Sequence, residues 1–441
     1  NNRRSGVSAA RNFSKVYDTL RNCLHRNSVN NKGLSLIGNI HLGVDYENAF
    51  WSQGARMMFF GDNAKGQAPF AKSLDVIGHE VGHGVTQYAT QSGLDYEDQS
   101  GAINESISDI WGATCDYNDW TIGEGLAKKP IRSLRQPSLY GQPEDMLDYT
   151  MLPDTSVTDM GGVHIDSGIG NLFFYRLSTD PRTPITPPAK DGRWTAARVV
   201  YGSYEYLAGK PRATYADWAL ALHAAAVTVD AQYSAGGALV AATDQALASV
   251  HMSAEIAAYD DGNVFNAQGN LVPPLKFGLG LAGKLAYVGV KVTTPGSMKL
   301  ATMCIGLLDL GQHATTGDYQ VVVLPVAADG GPDMSALSSP LDAELVDVNS
   351  AAATRNDGTF MNVKVTGADK VTPEPRSMGG EFFVMIGYVD SPGDATQYGS
   401  LMLDDGLGST GRTWVASQAG SGWVTQSLSG HNALIRAIFT D

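Results

Sequence analysis

Apolar residues recur at helical spacing over residues 7–25 (VSAARNFSKVYDTLRNCLH), which predicts an amphipathic helix. The runs at 35–45 and 55–60 (ARMMFF) read as strands, and 74–91 and 101–117 return to a helical pattern. Further helices are predicted at 193–207, 214–230 and 235–251. Around 261–280 the pattern stops, and DGNVFNAQGNLVPPLKFGLG is rich in Gly and Asn and contains Pro273-Pro274. Beyond it, short β-branched or alternating runs recur at 285–292, 319–326, 359–365, 381–389, 412–416 and 433–439, separated by Gly, Asp, Pro and Ser clusters. That spacing predicts a β-sandwich. The expected class is α+β. The predicted segments are 1–95, a mixed lobe; 96–265, a helical lobe; 266–280, a linker; and 281–441, the sandwich.

The densest chemistry lies in the first two helical patterns after the strands. His79-Glu80-Val81-Gly82-His83 is an H-E-x-x-H motif. On a helix, residues four apart are separated by about 40° around the axis, so both imidazoles share a face and can close on one zinc ion. Glu80 projects beside that site without being a ligand and is the candidate general base. A catalytic zinc needs a third protein ligand and an open position, and Glu105, on the next helical run, can supply the ligand. Asp109, one turn further on the same face, and Asn104 are placed to accept the outer ring N–H groups of the two histidines. The plain alternative is a solvated helix face, and the downstream carboxylate on its own helix argues against it.

Composition narrows the class. The chain is 43% hydrophobic and 17% charged with a formal net charge of −14, which describes a globular protein with no basic patch for nucleic acid. Three cysteines, Cys23, Cys115 and Cys304, are too few for a disulfide framework. No apolar run reaches membrane-spanning length. The start, NNRRSGVSAARN, has no apolar leader, which suits a processed secreted protein and a cytosolic one equally.

The stretch Gly101–Asp109 reads GAINESISD, and together with H-E-x-x-H it resembles the thermolysin-like zinc endopeptidases. Other segments resemble the same family: Asn48-Ala49-Phe50-Trp51, Gly93-Leu94-Asp95-Tyr96, Ser133-Leu134-Arg135, and Asp159-x-Gly161-Gly162-Val163-His164-x-x-Ser167-Gly168. The resemblance covers about 10–265. It implies a secreted, extracellular two-lobed metallopeptidase with one catalytic zinc, cleaving peptides or proteins on the N-terminal side of hydrophobic residues. It also implies that Tyr96 and His164 hydrogen-bond the oxyanion, with Asp159 orienting His164. Asn48 and the backbone of Ala49 would bind substrate, and Arg135 would bind the carbonyl beyond the cleaved bond. Leu134, Val76 and Phe70 would line the pocket for the residue after it. Asp75, Asp116, Asp119 and Glu124 match the family's calcium positions, implying one calcium and less firmly a second.

Two departures stand out. Two residues are inserted near Gln91-Ser92, ahead of Tyr96. The family's mature enzymes also carry several dozen β-rich residues before the first helix seen here; either the sequence is shortened there, or an N-terminal fragment supplies that sheet as a partner, or this branch does without it. His223, in an apolar run, reads as a packing residue, and His25, His41, His251, His313 and His431 do not read as ligands. Two alternatives remain: a gluzincin aminopeptidase, and a weak protease scaffold whose C-terminal domain binds glycan or protein. Aminopeptidases of that class hold a free N-terminus with acidic residues, usually in a G-x-M-E-N strand, where this chain reads Glu47-Asn48-Ala49-Phe50.

Overall fold

A computed structural model describes residues 2–62, 70–91, 93–126, 129–152, 154, 156–257, 275–276, 286–308, 318–338, 342–347, 359–365, 374–388, 400–401, 412–419, 422–427, 433 and 435–440. The chain forms two compact units. One comprises Asn1–Tyr149 and Gly162–Ser253, and the other Thr150–Gly161 and Ala254–Asp441. The first compact unit holds both predicted peptidase lobes and ends at Ser253. Of the predicted linker 266–280, only 275–276 is described, as a short strand, Leu275–Lys276.

The first unit opens with helix α1 (Asn2–Leu24), which buries Ala9, Val16, Leu20 and Cys23 along one side. Three strands follow, β1 (Gly38–Leu42), β2 (Ala49–Ser52) and β3 (Met57–Gly61). They form a sheet in the order β1-β3-β2, with β1 parallel and β2 antiparallel to β3. Among the described residues β2 has no neighbour on its outer side, so it is an edge strand.

Helices α2 (Leu74–Ala89) and α3 (Asp98–Cys115) are almost wholly buried and pack closely. Glycine permits that approach. A Cβ on Gly82 would stand 2.8 Å from Trp111 Cδ1 and 2.9 Å from Ser108 Cα, and one on Gly78 3.0 Å from Gly112 Cα. Gly78 and Gly82 are one turn apart, so at those two positions the α2 backbone comes against α3 with no side chain between. A short ladder, β4 (Thr121–Ile122) with β5 (Arg132–Ser133), then closes beside α3.

Helix α4 (Asp159–Thr179) enters through four consecutive residues of positive φ, Asp159, Met160, Gly161 and Gly162. The sequence reading took this segment as a motif and not as the start of a helix, because its two glycines hide the helical pattern. Helices α5 (Arg193–Leu207), α6 (Tyr215–Tyr233) and α7 (Ala238–Ser249) match the predicted segments closely. Trp218, Tyr215, Phe173 and Phe174 are fully buried in this unit. His223 is not a packing residue: it is half exposed and pairs with Asp244 at 2.7 Å.

The second unit holds two sheets. A six-stranded antiparallel sheet runs in the order Asp342–Asp347, Asp318–Pro325, Glu381–Tyr388, Ala286–Thr293, Thr413–Ala419 and Gly422–Ser427. The other centres on Lys299–Leu308, which pairs with Ile435–Thr440, Thr359–Lys364, Arg376–Ser377 and Ser400–Leu401. Val288, Val290, Val321, Phe382 and Val384 of the first sheet share a core with Met303, Ile305, Ile435 and Phe439 of the second, as alternation in a sandwich requires. The strands Lys299–Leu308 and Asp342–Asp347 were not foreseen. All three cysteines are buried free thiols, and burial pushes each up to about 12.

Candidate metal centre and cleft

Three acceptor groups converge where α2 meets α3. Nε2 of His79 and Nε2 of His83 are 3.1 Å apart, and the Glu105 carboxylate lies 3.3 Å from the first and 3.4 Å from the second. Each imidazole is held from behind. Nδ1 of His79 donates to Asp109 at 2.8 Å, and Nδ1 of His83 to Asn104 at 2.9 Å, with Ser108 Oγ at 3.0 Å. With Nδ1 turned outward on both rings, the two Nε2 atoms face one another and a carboxylate. Glu105 Oε2 is buried without a hydrogen-bond partner. A cation placed between the three groups would be held by all of them.

The spacing fits zinc. Tetrahedral ligands at about 2.0–2.1 Å from the metal lie about 3.3 Å from one another. Among the described residues this is the one group of three or more His, Cys, Asp and Glu whose ligand atoms fall within 4.8 Å of each other.

Burial opposes charge on both rings, but on His79 the carboxylates of Asp109 and Glu105 outweigh it and lift the pKa to about 10. On His83 burial prevails and the pKa falls to about 4. Asp109 is fully buried and takes two hydrogen bonds of 2.7 Å from Arg132 and one of 2.8 Å from Asn171. Burial would raise its pKa, yet Arg132 and His79 hold it well below the usual carboxylate range.

The centre lies in a cleft of about 560 Å³ lined, among others, by Asn48, Ala49, Trp51, Glu80, Tyr96 and His164. Glu80 is buried, one of its oxygens has no partner, and burial lifts its pKa to about 7 against the opposing pull of His79. Tyr96 donates to Glu105, and its hydroxyl lies 3.2 Å from Nε2 of His164. Nε2 of His164 is in turn 3.4 Å from Glu105. Asp159 stands at the first position of α4, ahead of His164 on the same helix. Val76 and Phe70 line the cleft as expected.

Two expected residues do not line it. Leu134 is fully buried in the core and its N–H donates to Trp120 O, while Arg135 is exposed against the ring of Tyr175. The β4–β5 pairing of Thr121 with Ser133 and Ile122 with Arg132 instead brings Ile131, Arg132 and Ile122 to the cleft wall. The triplet Ser-Leu-Arg misled the reading by three positions. A buried carboxylate shared with a histidine needs a fixed cation, and among the described residues Arg132 supplies it to Asp109.

The expected calcium acids do not converge as a three-ligand set. Asp75 and Glu124 hydrogen-bond one another, and Asp75 also accepts from Ser73, Val76 N and Gly123 N. Asp116 accepts from Asn118 at 2.6 Å, and Asp119 from the N–H and hydroxyl of Thr121 at 2.8 Å. Burial raises the pKa of Asp75, and burial and then Asp75 raise that of Glu124 to about 7. The oxygen-only character of that pair still suits calcium.

Sequence comparisons bear on this geometry. The profile of the thermolysin metallopeptidase catalytic domain matches residues 1–87, and that of the thermolysin metallopeptidase alpha-helical domain residues 92–252. The second match ends one residue short of the end of the first compact unit. The neutral protease NprE of Bacillus pumilus is 38% identical over 220 residues, which is 45% of this chain and 72% of that protein. A bacillolysin of Bacillus amyloliquefaciens is 42% identical over 178 residues, 40% of this chain and 34% of the bacillolysin. The chain thus spans most of the one relative and about a third of the other. A solved precursor of protealysin, a metalloproteinase from Serratia proteamaculans, is 32% identical, with 56% of this chain and 78% of that one covered and a TM-score of 0.45.

Proposed function

Because the chain belongs to the thermolysin metallopeptidase family, we propose that it is a secreted zinc endopeptidase that cleaves on the N-terminal side of hydrophobic residues. The observation that carries this reading is the set of three inward-facing acceptors on His79, His83 and Glu105, with both outer ring protons committed to Asp109 and Asn104. Zinc held there supplies a Lewis acid that polarises the scissile carbonyl and acidifies a water.

The remaining work falls to side chains. Glu80 accepts the proton of the attacking water and returns it to the leaving amine as the C–N bond breaks. The main-chain N–H of Trp51 favours its charged form. Tyr96 and His164 donate to the developing oxyanion, and Asp159 orients His164. The free edge of β2, with Asn48 and Ala49, pairs with an extended substrate backbone. Arg132 binds the carbonyl beyond the cleaved bond, and Phe70, Val76, Ile122 and Ile131 form the apolar pocket for the next side chain. Asp75 and Glu124 would hold a calcium ion beside β4 as their ionised carboxylates.

The test is hydrolysis of an internally quenched peptide, blocked at both ends, with Leu after the scissile bond. Wild type should cleave it and bind one zinc, and Glu80→Ala should lose cleavage while keeping the zinc. Cleavage that requires a free N-terminus would make the enzyme an aminopeptidase, and absence of bound zinc would overturn the reading.

A further inference from the structure

Tyr96 reaches Glu105 and His164 from a surface loop, not from a helix, and it is 42% exposed. Something must hold that loop, because a displacement of about 1 Å in a reacting group can cost 100-fold in rate. Within the loop, Ser100 Oγ donates to Asp95 O and Glu97 O at 2.8 and 2.9 Å, and Gly93 N to Thr90 Oγ1 at 3.1 Å. Further ties come from the turn between α5 and α6. Asp95 N donates to Pro211 O at 2.8 Å, and Tyr215 N donates to Gln99 Oε1 at 2.8 Å.

Between these two backbone ties sits Arg212. Its guanidinium lies 3.5 Å from Asp95 Oδ2 and pairs with Glu97 Oε1. Asp95 and Glu97 are the two residues flanking Tyr96. Because Asp95 and Glu97 bracket Tyr96 in the chain, a clamp that holds both flanks limits how far the residue between them can swing.

The platform is rigid. Thr214, two residues on, forms a reciprocal cap with Asp217 at the start of α6, and Lys210 pairs with the same Asp217 at 2.6 Å. Arg212 itself does not line the cleft.

We infer that Arg212 is a positioning residue for Tyr96, holding its hydroxyl at the metal centre by bridging Asp95 and Glu97 from outside the cleft. This rests on the role given to Tyr96 in the proposed reaction. The side chain of Arg212 is 73% exposed, and exposed ion pairs contribute little to global stability. Its loss should therefore leave folding intact and act on catalysis.

The experiment is a double-mutant cycle on the full chain with zinc and calcium present, using the blocked quenched peptide. The variants are Arg212→Ala, Arg212→Lys, Glu97→Gln, Tyr96→Phe and the Arg212→Ala/Tyr96→Phe double. Arg212→Ala should lower kcat about 10-fold with KM within about 2-fold, since the hydroxyl is needed in the transition state and not for binding. Arg212→Lys should recover most of it, and Glu97→Gln should reproduce part of the loss. In the Tyr96→Phe background, Arg212→Ala should change kcat by less than about 2-fold. An undiminished effect in that background would overturn the inference, as would a loss that tracks zinc content or Tm. Tyr96→Phe with full activity would remove the role of Tyr96 and the inference with it. Glu80→Ala retaining activity would instead remove the proposed function.

Discussion

Nδ1 of His79 lies 2.8 Å from Oδ1 of Asp109, a carboxylate with no exposed surface whose two oxygens both accept from Arg132. This relationship fixes which nitrogen of His79 faces inward, and it ties the metal centre to the cleft wall through one buried group. Asp109→Asn should lower zinc affinity by about 10–100-fold, the usual cost of losing such an outer partner. A competition titration against a chelator measures it. The acid behaviour follows from the same group. Its folded pKa is depressed, so its stabilising contribution is present above the unfolded value of about 3.9 and fades as pH falls toward the folded one. Acid unfolding of the wild type should steepen below about pH 4, and Asp109→Asn should remove that component.

Arg132 and Arg135 separate two registers of one segment. Arg132→Ala should reduce kcat/KM by about 100-fold or more, because it removes a cleft donor and leaves Asp109 buried without its cation. Arg135→Ala should stay within about 2-fold, as expected for an exposed side chain stacked on a ring. The reverse ranking would return the substrate contact to Arg135.

Gly82 lets α2 and α3 touch. An added Cβ meets Trp111 and Ser108 at under 3.0 Å, and Ser108 also contacts His83. Gly82→Ala should cost about 1–3 kcal/mol in stability. It should also weaken zinc binding, since Glu105 rides on the displaced helix. Thermal unfolding with and without a chelator reads both effects; a variant that keeps wild-type zinc affinity would show the helix spacing to be irrelevant to the centre.

Glu80 must be ionised to accept a proton. Burial, the largest influence, raises its pKa to about 7, and a bound cation draws it back down. The acid limb of kcat/KM should therefore fall above the ordinary glutamate value of about 4.3 and no higher than about 7, with activity rising as pH rises through it. A limb at or below the ordinary value would mean that another group titrates.

Glu124 is raised to about 7, chiefly by burial and then by Asp75. A carboxyl with a raised folded pKa favours the fold below its unfolded value of about 4.3, and that advantage is lost as pH rises toward 7. Calcium binds the ionised pair and should reverse the trend. Added calcium should thus raise Tm more at pH 8 than at pH 5.5, measured against a calcium chelator. An equal rise at both values would place the ion elsewhere.

The zinc ligands were legible because helical periodicity alone puts His79 and His83 together, and a third ligand on a second helix needs only a nearby carboxylate. Sequence periodicity also sufficed for α1, α5, α6 and α7. It failed where tertiary contact decides. Gly161-Gly162 concealed the entry to α4, and the register of residues 131–135 depends on a two-residue ladder with Thr121–Ile122 that no local pattern announces. His223 shows the limit in reverse: it sits among apolar neighbours in sequence, yet its own helix position faces solvent and Asp244.

The free edge of β2 carries a consequence for what the cleft can accept. Main-chain pairing reads conformation before it reads identity, so a partner must already be extended over several residues, and a helix or a paired strand cannot comply. Under the proposed function, turnover of a protein would be governed by how often its backbone comes loose. The same filter would apply to the enzyme's own surface, making its survival at high concentration a measure of how rarely its loops open.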